Sequence, residues 1–101
     1  MKIVSLTDAP KVPSGLDGHI MHSSDKLQVI HLCLQPGQNI PQHPNPFDAV
    51  ACLIEGEVVL NAGKDQFRLT LYDVVEIAKN TDRGFSNQSA SEARLLIMKK
   101  L

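Results

Sequence analysis

Apolar and polar positions alternate along this chain in short bursts, broken by Gly, Asn, Asp and Pro at intervals of about ten residues. That is the rhythm of an all-β sandwich or barrel. The pattern predicts strands near Lys2 to Leu6, Gly18 to His22, Leu27 to Gln35, Ala49 to Glu55, Glu57 to Asn61, Gln66 to Leu71, Val74 to Ile77, Gly84 to Asn87 and Arg94 to Lys99. The connecting residues suit reversals. Glu55-Gly56-Glu57 supplies a positive-φ residue, Asn61-Ala62-Gly63-Lys64 reads as a hairpin turn, and Pro36-Gly37 breaks the strand before it. Pro10 and Pro13 hold Asp8 to Gly15 extended and deny it regular ladder bonds, so the first seventeen residues are expected to form an arm.

Two segments resist a simple reading. Ser91 to Lys100 is built of good helix formers behind a capping serine, so propensity favours a helix there. Tertiary pairing readily overrides so short a segment, and a strand is expected. Ala49-Val50-Ala51-Cys52-Leu53-Ile54 is apolar on both faces of the pleat, so both of its sides must be covered.

Composition narrows the function classes. A chain of 101 residues makes one domain with a single core. A net charge of -1 leaves no basic face for nucleic acid. No apolar run is long enough for a signal peptide or a membrane span, so no membrane partner is expected and the cytoplasm is the expected location. Cys33 and Cys52 each lie inside an apolar run without C-x-x-C spacing and read as buried thiols.

Between Gly37 and Gly56 the spacing resembles the first motif of the cupins, G-x5-H-x-H-x3-E-x6-G, with His43 on the first histidine, Asn45 on the second and Ala49 on the glutamate. Tyr72 to Asn87 is similar to the second motif, G-x5-P-x-G-x2-H-x3-N, with Tyr72, Ala78 and Asn80 on its glycine, proline and second glycine. Arg83 falls on its histidine and Asn87 on its asparagine. The resemblance implies a small jelly-roll β-barrel of the cupin 2 type spanning residues 1–101. It also implies a homodimer that exchanges its N-terminal arm, residues 1–17.

The resemblance further implies that His43, Asn45, Ala49 and Arg83 occupy the places of the family's metal ligands. One ligand of four remains, too few for a divalent catalytic ion. An inward guanidinium about 4 Å from such an ion would repel it by roughly 8 kcal/mol at an effective dielectric of about 20. Asp48 stands one residue from the glutamate position, and strand alternation turns it away. His31 and Cys33 share one face of their strand. If that face looks inward, His31, Cys33 and His43 form a replacement site for a divalent transition metal; a hydrogen-bonded histidine beside a buried thiol is the stronger reading. His19 and His22, three apart on a strand, point to opposite faces.

These residues support a metal-independent cup for a small molecule. His43, Asn45 and Arg83 would supply its polar groups, and Ala49, Ala51, Leu53 and Phe85 its walls. Arg83 suits a carboxylate or phosphate, which points to an anionic ligand; its alternative place is an exposed loop beside Asp82 or Asp48. Two further readings compete: a metal-dependent oxygenase or isomerase with atypical ligands, and a structural or regulatory dimer without a ligand. One barrel hosts many chemistries, so the fold does not choose among them.

Overall fold

The computed structural model describes residues 1–101 and contains nine strands and no helix. In chain order they are β1 (Asp17–Ser23), β2 (Leu27–Leu34), β3 (Asn39–His43), β4 (Asp48–Glu55), β5 (Val58–Ala62), β6 (Asp65–Leu69), β7 (Val74–Ile77), β8 (Arg83–Ser86) and β9 (Ala93–Lys100). They form two antiparallel sheets, one ordered β1-β2-β9-β4-β7 and the other β3-β8-β5-β6. No helix is long and apolar enough to cross a membrane.

Alternation dictates which side chains meet between the sheets. Ile30, Leu32 and Leu34 from β2, Ala49, Ala51 and Leu53 from β4, and Ala93, Leu95 and Ile97 from β9 all point inward. Val58, Leu60 and Phe85 close on them from the second sheet, completing most of a fifteen-residue core. β9 is the central strand of its sheet, paired along its length with β2 and for most of it with β4. Its helix-forming composition loses to two ladders of hydrogen bonds and a buried inner face.

Two expectations about strands are overturned. Lys2 to Leu6 is not a strand: its neighbours turn, with the Asp8 and Ala9 amides donating to the Ser5 carbonyl, and Ile3 is exposed. No sheet edge receives it, and alternation without a partner edge makes no strand. Conversely, Asn39–His43 is a strand although only Ile40 in it is buried. It pairs Asn39 with Ser86, Ile40 with Phe85 and His43 with Arg83, so Pro41 and Gln42 together face Gly84. That bulge accommodates a proline, which has no N–H to give a regular ladder.

The turn chemistry matches the motifs in detail. Gly56 has φ +75°, and a Cβ there would lie 2.5 Å from the Glu92 carbonyl oxygen, so the close passage of β4 beside β9 requires glycine. Tyr72 and Asn80, which stand at the second motif's two glycine positions, both adopt positive φ, 70° and 63°. Asn87 is fully buried. Its amide donates to the Leu34 and Ser91 carbonyls and its Oδ1 accepts from the Ser89 amide and hydroxyl, tying the end of β8 to β2 and to the approach of β9.

The arm lies against its own barrel. Val12 and Leu16 pack on the core, the Val12 amide donates to the Gly18 carbonyl, and Lys11 bridges His19.

Candidate functional site

One end of the barrel holds a cavity of about 150 Å³. Ile30, Leu32, Ile40, Phe85 and Ile97 form its apolar floor, Val12, Ser14 and Leu16 of the arm cover it, and His43, Asn45, Arg83 and Lys99 supply its polar groups. No aspartate or glutamate lines it.

Arg83 opens β8 and is placed by pairing on both sides, opposite His43 of β3 and Ala62 of β5. Its residue is only 6% exposed, which excludes the alternative of a solvated loop arginine paired with Asp82 or Asp48. Its Nη1 donates to the His43 carbonyl at 3.0 Å. With the Asn45 amide turned to satisfy its surroundings, Asn45 Oδ1 accepts from Nη1 at 3.1 Å and Nη2 at 2.8 Å while Nδ2 donates to the Pro44 carbonyl at 3.2 Å. All these acceptors are neutral. Nε is buried without a partner. By count of donors, Nε–H and one Nη2–H are left over, the parallel pair of the guanidinium fork that engages a carboxylate. Burial lowers the guanidinium from its ordinary value, yet such a group keeps its charge in neutral water.

His43 lies exposed at the mouth. The Pro41 carbonyl lies 3.0 Å from its Nδ1 and can only accept, so Nδ1 donates to it.

Lys99 was not among the residues expected here. It stands directly opposite Ala49 on β4, and cross-strand partners share a face. Alternation carried the signal: Ala93, Leu95 and Ile97 are inward, and Lys99 is the next residue of that row. Burial first, and the charge of Arg83 second, lower the Lys99 ammonium from its ordinary value.

Five expected members, Ala49, Ala51, Leu53, His31 and Cys33, are not brought to the cavity. Ala49 is buried in the core beside Ala51 and Leu53, below the cavity wall rather than on it. His31 and Cys33 face away, because Ile30, Leu32 and Leu34 take the inner side of β2. They join a polar cluster on the outer face of the sheet. His31 opposes His19, and Cys33 opposes Asp17 and Arg94. The Cys33 thiol donates to Glu92, which Arg94 also holds. Burial, then that hydrogen bond, push the thiol up to about 12, so it is a poor nucleophile. His31 is lowered by burial first and by Arg94 next, and its buried Nδ1 has no partner.

The residues at the cupin metal position do not fit a divalent ion. His43 is the only strong donor, Asn45 already serves Arg83, Ala49 has no donor, and Arg83 brings a positive charge. His31 and Cys33 lie on the wrong face to replace them. Asp48 points outward, its Oδ1 accepting from the Lys79 amide at 2.9 Å.

No family model matches the sequence, and no curated protein matches it. Solved structures do. A protein from Thermus thermophilus is 27% identical, with a TM-score of 0.83 over 99% of this chain and 97% of that one. An RmlC-like cupin from Shewanella frigidimarina is 16% identical, with a TM-score of 0.85 over 99% and 90%. The polyketide cyclase RemF from Streptomyces resistomycificus is 15% identical, with a TM-score of 0.86 over 99% and 79%. The two sheets, the motif turns and this likeness over nearly the whole length together give the chain the fold of the cupins, a small double-sheeted β-barrel.

Proposed function

We propose that this cupin domain binds a small anionic molecule in its cavity without the help of a metal. The observation that carries the reading is Arg83: a buried guanidinium with neutral partners only, an orphaned Nε, and no acid on the surrounding wall. A buried charge without a counter-ion is costly, and an anion entering the cavity relieves that cost. The apolar floor suits a short hydrocarbon portion. Catalysis on this fold exists, as the polyketide cyclase among the similar structures illustrates, but fold alone does not carry an activity across.

Thermal-shift titration with small carboxylates and phosphates tests the reading. At least one of them is expected to raise the melting temperature, and Arg83→Ala is expected to weaken that binding at least tenfold, about 1.4 kcal/mol. Binding unchanged by Arg83→Ala sinks the proposal. A wholly empty screen moves the weight to a structural or regulatory dimer.

A homodimer and a cytoplasmic setting are proposed alongside it. The outer face of the larger sheet carries a half-exposed apolar stripe, Val29, Met98, Val50, Leu96, Cys52 and Ile54, which a second copy would cover. Light scattering is expected to give twice the chain mass, 11.1 kDa. A monomer at micromolar concentration would end that proposal.

A further inference from the structure

Lys99 is the only primary amine on the cavity wall, and holding an anion at Arg83 does not by itself require it. The register of β9 aims it inward, opposite Ala49, at the end of the row Leu95, Ile97. No carboxylate holds its charge: the ion pairs of the chain join His19 to Asp17 and Arg94 to Glu55 and Glu92. Resting on the reading that Arg83 takes a small anion, we infer that Lys99 condenses with the carbonyl carbon of a small oxo acid whose carboxylate sits on Arg83, forming a Schiff base inside the barrel.

The chemistry asks for three things. First, the amine must be neutral to attack, and an exposed lysine seldom is. Burial and the neighbouring guanidinium both push Lys99 toward the neutral form, the arrangement that makes an amine nucleophilic in an apolar pocket. Second, the ligand must be held with its carbonyl within reach, and a carboxylate on the free fork of Arg83 provides the anchor. Third, the product must fit. A cavity of about 150 Å³ is close to one that takes benzene, which admits an acid of a few carbons.

The atoms balance without an oxidant or reductant. The Nζ lone pair forms the new N–C bond while an amine proton passes to the carbonyl oxygen, giving a carbinolamine. Its C–O bond then breaks, and the oxygen leaves as water with the second amine proton. One water is released for each imine formed. When that imine is protonated, its positive charge lies beside the carboxylate of the same ligand.

The test is reductive capture of the native protein with cyanoborohydride and, in turn, pyruvate, acetoacetate and levulinate, which place carbonyl and carboxylate at increasing separation. Peptide mapping compares Lys99 with exposed Lys100 in the same strand. With at least one of the acids, Lys99 is expected to gain the mass of that acid less one oxygen atom about tenfold faster than Lys100, because burial and the charge of Arg83 favour its neutral amine. Propionate, which has no keto group, is expected to compete, and Lys99→Met to abolish the fast phase. Capture at Lys99 no faster than at Lys100 for all three acids overturns the Schiff base. If propionate and the oxo acids then stabilise the protein alike, the anion site survives alone; if none stabilises it, both readings fall.

Discussion

Tyr72 sits in the left-handed region with φ 70° although its ring is largely exposed, so its side chain returns little packing for the backbone it adopts. The conformation is held by the chain around it: the Tyr72 amide donates to the Leu53 carbonyl, the Asp73 amide to the Thr70 carbonyl, and Asp73 Oδ2 accepts from the Thr70 amide and hydroxyl. A non-glycine residue there costs about 1–2 kcal/mol. Glycine removes that cost but loses roughly 0.5–1 kcal/mol more to the unfolded chain. Tyr72→Gly is therefore expected to stabilise the fold by about 0.5–1 kcal/mol, seen as a higher urea midpoint with an unchanged slope. A lower midpoint would mean that the phenol ring packs in a way its exposure conceals. Asn80 presents the same geometry with less strain, since asparagine tolerates it.

At the scale of elements, the decisive piece is the pairing of β3 with β8. A Cβ on Gly84 would lie 2.2 Å from the Ile40 carbonyl oxygen and 2.8 Å from the Pro41 carbonyl carbon, so the bulge closes directly onto a glycine. Gly84 also lines the cavity between Arg83 and Phe85. Gly84→Ala is expected to cost about 2 kcal/mol by overpacking and to loosen β3, which carries His43 and accepts from Arg83. Amide exchange of Ile40 to His43 should quicken; unaltered exchange would show that the strands absorb the methyl. This pairing was not legible in the sequence, because Asn39-Ile40-Pro41-Gln42-His43 has one buried apolar residue and a proline, and alternation needs several. The inner rows of β2, β4 and β9 were legible for the opposite reason, each repeating three buried residues at every second position. Lys2 to Leu6 shows the limit of the same signal: alternation says which face a strand would bury, never whether an edge awaits it. Lys99 escaped notice because a terminal lysine reads as solvated, although its place in the inward row could have exposed it.

For the whole molecule, the cavity and the core draw on the same inner surface, so binding and stability compete there. The motif spacing placed His43, Asn45 and Arg83 at one position in the barrel, and the pairing of β8 with β3 and β5 decides that Arg83 points inward. A buried guanidinium without an acid costs the empty protein stability; neutral acceptors from His43 and Asn45 offset only part of it. Arg83→Met keeps a long apolar side chain and removes the charge, leaving the His43 carbonyl and Asn45 near the mouth where water reaches them. The ligand-free variant is expected to be as stable as the parent or more so, by about 1–2 kcal/mol, while stabilisation by small carboxylates disappears. Denaturant titrations of both proteins, with and without the best carboxylate, read the two effects separately. Loss of more than about 2 kcal/mol in the empty variant would show instead that Arg83 pins β3 to β8, as truncating a bonded structural charge does, and would take from the cavity its strongest claim to an anion.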